Sequence, residues 1–304
     1  MRMIPDFLQK LPAASKALLI AWIFLTGCEK TVTVKLPEVD QQLVVEGYVE
    51  TGQPPYLFLS RSLDFFGSIN LNTVIENTVS GATVIVDDGN TTDTLLQPLP
   101  GIGYYISTRL TGQPGRSYRL RIISDGTVIT AETFLPNPVA LDSVWWKVDG
   151  ERDSLGFAWA HLTEPDTIGN NYRWFAKRLN RYTYGNHAGE VKDSVFLAPL
   201  GSVFEDKFIN GRSFDFNVVR GKAYNSNKED DLNEENFFFK RGDTIAVKFC
   251  SIDRAAFQFW RSEETQVSNN GNPFGTVTPV EDNIDGGLGI WCGYSTTFDT
   301  IFAR

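Results

Sequence analysis

Short runs in which apolar and polar residues alternate recur from residue 42 to residue 134, and each is closed after a few positions by turn-forming residues. The runs cover residues 42–50, 56–62, 82–87, 92–96, 103–107, 117–123 and 128–134. Gly52, Pro54, Pro55, Asp88, Gly89, Asn90, Gly112, Pro114, Gly115, Asp125 and Gly126 punctuate the gaps. A period of two places successive side chains on opposite faces of a strand, and runs this short leave no length for an amphipathic helix. Seven such runs within roughly 100 residues is the spacing of an immunoglobulin-like β-sandwich.

Pro136 and Pro138 interrupt this ladder because neither can donate a backbone hydrogen bond, which marks a domain boundary there. Beyond it the strand-like runs, at residues 142–148, 154–160, 171–177, 214–218 and 243–250, are more aromatic. One helix is expected, over residues 253–267, with Asp253 as its cap and Ala256, Phe257, Trp260 and Glu264 at helical spacing. Aromatic residues make up 13% of the chain and there are only 2 Met, a balance that suits pleated sheets better than helical bundles. The expected class is therefore all-β: an immunoglobulin-like β-sandwich over residues 37–137, then a second, aromatic-rich β domain with one short helix over residues 138–304. Residues 228–235 read as an acidic surface loop.

The amino-terminal segment has a different pattern. Arg2, Lys10 and Lys16 precede an apolar run over residues 17–25, which suits the core of a signal peptide and is too short to span a bilayer. Leu25, Thr26, Gly27 and Cys28 follow in the order of a lipobox, in which small side chains pass a peptidase cleft and the Cys28 thiol receives diacylglycerol. Residues 1–27 are thus expected to be a lipoprotein signal peptide and residues 28–36 a lipidated tether. A diacyl group plus an amide-linked acyl chain exceeds the two anchoring signals that stable attachment needs. Glu29 is not the aspartate that commonly retains lipoproteins at the inner membrane, which favours the outer membrane, on its periplasmic or its cell-surface face. The net charge of −9 falls to about −11 once residues 1–27 are removed, because Arg2, Lys10 and Lys16 leave with Asp6. Such a surface repels phosphate backbones, so no nucleic-acid partner is expected.

The residues that carry chemistry form no recognisable constellation. His161 and His187 sit in unrelated contexts, so neither a metal site nor a metal cofactor is expected. Ser202 follows Gly201 without the nucleophile-elbow pattern of a hydrolase. Glu164, Asp166, Glu205 and Asp206 contain enough carboxylates for a glycosidase pair, although turn-like surroundings favour structural roles. Asp282 to Asp285 resembles half of a calcium loop without its later glutamate. Gly286, Gly287 and Gly289 suit a strand passing close to another backbone. Cys250 and Cys292 are equally compatible with a disulfide and with two buried thiols. Tyr172, Trp174, Tyr182, Tyr184, Phe237, Phe238 and Phe239 lie in or beside connections, where rings form a binding surface for a glycan, a peptide or a protein if they are not core.

Several segments together carry a resemblance: Cys28 to Lys30, Leu43 to Val49 with Pro54 and Pro55, Leu141 to Trp146, Asn272 to Phe274, and Asn283 to Trp291. In these the chain, from Cys28 to about residue 302, resembles the domain-of-unknown-function 4249 family of Bacteroidota lipoproteins. The resemblance implies a neighbouring TonB-dependent outer-membrane receptor and carries no catalytic residues. Anchor, sandwich and resemblance together lead to the expectation of a non-catalytic cell-envelope lipoprotein, an accessory or binding partner of such a receptor in nutrient uptake. A glycan-binding or carbohydrate-active surface lipoprotein is the alternative.

Overall fold

The computed structural model describes residues 40–63, 70–150, 152–183, 188–221, 237–269 and 279–304. The expected signal peptide, the expected tether with Cys28, Tyr184, His187 and the expected acidic loop at 228–235 lie outside the described residues. From Gln41 onward the chain forms one compact unit.

Alternation creates the first strands where the sequence predicts them. β1 (Leu43–Glu50), β2 (Tyr56–Arg61) and β5 (Tyr104–Ile106) pair side by side. β3 (Thr83–Asp87), β4 (Thr92–Thr94), β6 (Arg116–Ser124) and β7 (Thr127–Leu135) form the facing sheet, in the order β7-β6-β3-β4. Val45, Val49, Leu57, Leu59 and Tyr105 point from one layer, and Val84, Val86, Leu120, Ile122 and Ile129 from the other, into a shared core. Tyr118 completes it. Its hydroxyl donates to the Thr111 carbonyl at 3.1 Å and accepts from the Gln113 amide at 2.7 Å, which pins the β5–β6 connection as the tyrosine corner of immunoglobulin-like sandwiches does.

The second sandwich sets β8 (Ser143–Asp149), β9 (Arg152–Thr163), β12 (Ser213–Val218) and β13 (Phe239–Lys240) against β10 (Asn171–Arg178), β11 (Val203–Glu205) and β14 (Thr244–Ile252). Its core joins Ala158, Ala160 and Leu162 of β9 to Tyr172, Ala176, Ile245, Val247 and Phe249.

The two sandwiches share a strand. β16 (Leu288–Phe302) pairs in parallel with β1 through residues 288–294 and antiparallel with β14 through residues 295–302. One seven-stranded sheet results, in the order β11-β10-β14-β16-β1-β2-β5. β15 (Ile284–Asp285) adds to β7 at the edge of the other layer. The break at Pro136 and Pro138 does separate β7 from β8, and the second core draws only on residues between Val139 and Ala303, but the first sandwich does not close within 37–137. Ile284 and Trp291, from the far end of the chain, lie in the first core.

The glycines at 286–289 make this closure possible. A Cβ on Gly289, whose φ is +112°, would lie 2.0 Å from the Val45 carbonyl oxygen, and one on Gly286 would lie 2.6 Å from that of Val128. Trp291 then fills the space that Gly47 leaves, and its Nε1 donates to the Tyr118 carbonyl at 2.9 Å. Asn283 stitches the approach by accepting from the Trp291 amide at 2.9 Å and donating to its carbonyl at 2.8 Å. The half calcium loop is therefore a structural clasp.

Two helices occur among the described residues. α1 (Leu71–Glu76), capped by Asn70, is too short to leave a periodic signal. α2 (Arg254–Asn269) extends the expected helix by two residues at its end. Asp253 caps it by accepting from the Ala256 amide at 2.8 Å, and its other oxygen accepts from Thr133 Oγ1 and the Phe134 amide, which ties the helix to β7. Ala256 and Phe257 pack on Cys250, Ile252, Ile290, Cys292 and Tyr294, covering part of the back of the seven-stranded sheet.

Candidate binding face

The seven-stranded sheet turns one surface toward both sandwich cores. Its other surface is only partly covered by α2, and along it runs a row of aromatic rings. On β1 and β2, Tyr48, Tyr56 and Phe58 alternate with the core residues Val49, Leu57 and Leu59, so these strands bury apolar groups on one face and offer rings on the other. Tyr104 touches Phe58 with ring centroids 5.0 Å apart, and Tyr56 lies 6.0 Å from Tyr104 and 5.5 Å from Tyr48. Tyr48 stacks on Tyr294 at 5.7 Å, and Tyr294 meets the Phe175 edge at 5.8 Å. Lys248 extends the row, with its Nζ over Phe175, Tyr294 and Phe196, and Phe196 leads on to Phe298 at 6.1 Å. Phe58 and Phe298 are 42% and 58% exposed, so the row opens to solvent at both ends.

Charged groups are held within this row. Lys248 Nζ lies 2.6 Å from Glu50, and the Tyr48 hydroxyl donates to Glu46 at 2.7 Å. Arg173 is buried with its guanidinium 3.5 Å from the Trp260 ring centroid, and it donates to the Tyr294 hydroxyl at 2.7 Å. Burial, then the Glu46 charge, raises the Tyr48 phenol well above its ordinary range, and burial with Glu50 pushes Tyr56 up to about 12. Both hydroxyls stay protonated at physiological pH and act as hydrogen-bond donors. Rings that open to solvent at the two ends of the row, with phenol groups and a carboxylate beside them, suit contact with sugar rings or with the side chains of a protein surface.

The aromatics singled out in the sequence lie elsewhere. Tyr172 is fully buried and stacks on Phe249 at 5.2 Å; its hydroxyl donates to Glu164, so it belongs to the second core. Trp174 packs between Phe204 and Phe216 in the same core, and Phe239 is fully buried there. Phe238 packs on Phe157 at 4.5 Å. Tyr182 is half-buried below Lys192, and Phe237 is 48% exposed in a turn with φ of +71°. Tyr172, Trp174 and Phe239 thus meet in the second core, and the structure does not gather the described aromatics into one surface.

The chemical candidates resolve into structural roles. Cys250 and Cys292 are free and buried rather than bridged. Register explains why: Cys250 stands opposite Thr296 and Cys292 opposite Tyr48, so the thiols are offset by four residues on neighbouring strands, about 13 Å and beyond disulfide reach. Burial pushes the Cys250 thiol up to about 12 and raises Cys292 further. Ser202 is buried and donates to Glu264, so it clamps a turn to α2. His161 pairs with Asp215 at 2.5 Å. Among the described residues no group of three potential metal ligands converges. Glu164 and Asp206 are 1% and 2% exposed and accept hydrogen bonds from loop groups, while Glu205 pairs with Arg254 at 2.5 Å.

No helix among the described residues is long and apolar enough to cross a membrane. No curated protein matches the sequence. Among solved structures, a two-domain fibronectin type-III segment of chicken tenascin is similar at 10% identity and a TM-score of 0.21, with 70% of this chain and 92% of that chain covered. The family described as a domain of unknown function, DUF4249, matches residues 29–299, and the chain belongs to it.

Proposed function

We propose that the protein is a non-catalytic cell-envelope lipoprotein, anchored to the outer membrane through acylated Cys28, and that the aromatic row is where it meets its partner. The partner in this reading is a TonB-dependent receptor, which the protein assists in nutrient uptake. The observation that carries the binding role is the connected row from Tyr104 through Tyr48 to Phe298, buried at its middle and open to solvent at Phe58 and Phe298, on a sheet whose opposite face already holds both cores. Rigid strands lower the ordering cost of contact, which favours recognition by this face. The test is a photo-crosslinking residue at Phe58 in intact cells. Capture of one outer-membrane receptor is the expected result, and recovery of no envelope protein refutes the assignment.

A second reading, glycan binding by the same face, is favoured by the protonated hydroxyls of Tyr48 and Tyr56 beside exposed rings. Retention on a glycan array that Tyr56→Ala abolishes, without a crosslinked protein, selects it over the first.

A further inference from the structure

The second sandwich has an outer face of its own, on the sheet built around β9. Alternate residues of β8, β9 and β12, among them Trp146, Ala160 and Phe216, turn into the second core, so the residues between them face outward. Register sets these outward residues in rungs across the three strands. Trp159 stands between Trp145 and Asn217, His161 stands between Ser143 and Asp215, and Lys147 lies opposite Phe157. The water-facing side of a strand is ordinarily polar, yet the middle rung here carries two indoles. Trp145 and Trp159 are both partly exposed, with ring centroids 6.5 Å apart and planes within 20° of parallel.

Hydrogen-bonding groups border this pair. Lys147 Nζ lies 5.6 Å from the centre of the Trp159 ring. His161 Nδ1 and Asp215 Oδ1 are 2.5 Å apart, which fixes both side chains while Asp215 Oδ2 and His161 Nε2 meet no partner among the described residues. The Asn217 side-chain amide and the two outward indole N–H groups likewise have none among the described residues. Two rings and a set of open donors and acceptors are thus presented together on rigid strands, with little left to order when a ligand arrives.

Three observations name the kind of ligand. Ring faces carry negative charge density that attracts the C–H groups on the flat side of a sugar, while planar carboxylate, amide and imidazole groups match its hydroxyls. Lys147 balances Asp215, and Arg152 pairs with Asp149 at 4.0 Å, so the face of an otherwise acidic chain carries no excess charge and suits a neutral ligand. Two strand spacings by four residues give a platform of about 10 by 14 Å, far short of the roughly 800 Å² per partner of a standard protein interface. It has room for a few sugar rings.

We propose that the outward face centred on Trp145 and Trp159 binds a neutral glycan chain, with the indoles as the stacking platform and Asp215, Asn217 and His161 as its hydroxyl contacts. The second core separates this face from the aromatic row on the seven-stranded sheet, so the glycan site stands whichever partner the row takes.

The test is calorimetric titration of the full-length protein, in a detergent without a sugar headgroup, with cellohexaose, mannohexaose, xylohexaose, chitohexaose and maltohexaose. Saturable binding of at least one is expected. Trp159→Ala should weaken it about 10-fold or more and Asn217→Ala about 3-fold, both with unchanged circular dichroism, while Tyr56→Ala on the aromatic row leaves it unchanged. Hydroxyl-radical footprinting reads the same site without substitution: the bound hexaose should lower oxidation of Trp145 and Trp159 and leave that of Tyr56 as it was. Absence of binding by every hexaose at millimolar concentration overturns the proposal. So does binding that Trp159→Ala leaves intact, or that Tyr56→Ala abolishes, which would assign the sugar to the aromatic row. If Trp159→Ala unfolds the chain, the footprint decides, and a bound hexaose that leaves Trp145 and Trp159 unprotected refutes the site.

Discussion

Replacing Gly289 by alanine tests the closure of the fold directly. Gly289 has φ of +112°, a conformation L side chains rarely adopt, and its added Cβ would lie 2.0 Å from the Val45 carbonyl oxygen, 2.9 Å from its carbon and 3.0 Å from its nitrogen. The obstacle is backbone of a central strand, so relief requires β1 and β16 to separate by about 1 Å, which disturbs the pairing of Val44 with Leu288 through Glu46 with Ile290. Gly126 provides the comparison: φ is +80°, but nothing lies within 4 Å of its added Cβ. Gly126→Ala should cost about 1 kcal/mol for backbone strain alone. Gly289→Ala adds the lost strand contacts and should cost about 3 to 5 kcal/mol. With a urea slope of about 3 kcal/mol/M, the two variants should differ in midpoint by roughly 1 M. If their midpoints coincide, β16 does not pass β1 at this distance and the shared-strand architecture is wrong.

Three further outcomes follow from buried groups. Asp193 should be a stabilising carboxylate: burial alone would raise its pKa, but hydrogen bonds from Arg178 and the charges of Arg178 and Arg220 outweigh this and hold it below the usual range. A depressed folded pKa contributes stability above the unfolded value of about 3.9 and loses it as pH falls through the folded one, so wild-type stability should drop below about pH 4 more steeply than that of Asp193→Asn. At neutral pH that variant should cost about 3 kcal/mol in urea melts because two buried guanidinium groups lose a shared carboxylate. The thiols of Cys250 and Cys292, raised by burial, should stay unalkylated by iodoacetamide in the native protein and react together on unfolding; a disulfide found by mass spectrometry would contradict the register. Tyr118→Phe, which strips the bonds to Thr111 and Gln113, should cost about 1 to 2 kcal/mol, and a neutral result would deny the corner its structural role.

Much of the architecture was legible because a strand with one face in a core writes its period into the sequence. β1, β3, β6 and β7 alternate cleanly and lie within a residue or two of their expected limits. β16 was not legible as a strand. Its first half is buried on both faces, under the first core on one side and against α2 on the other, so residues 290–295 do not alternate, and Gly289, Gly293, Ser295, Thr296 and Thr297 dilute what alternation remains. That the first sandwich borrows β16 was hidden too, since pairing between residues about 240 positions apart leaves no local mark. The aromatic row did leave a signal. In residues 56–59 aromatic Tyr56 and Phe58 alternate with aliphatic Leu57 and Leu59, so a strand in a two-layer sandwich carries apolar groups on the face that should be polar. Position near a connection carries no such signal: Tyr172 and Trp174 lie beside one and belong to the second core.

The shared strand also determines how the parts depend on one another. Trp291 seals the first core, while Ile290, Cys292 and Tyr294 on the opposite side of the same strand pack beneath α2 and against the aromatic row, and Ile301 reaches the second core. Loss of β16 therefore removes a wall from all three clusters at once. Neither sandwich has a complete core without it, so the two should melt in a single transition despite their separate hydrophobic centres. The same coupling stiffens the face proposed for binding: Tyr48 and Tyr294 stack across the parallel β1–β16 pair, and neither ring can move without disturbing a strand that two sandwiches hold in place.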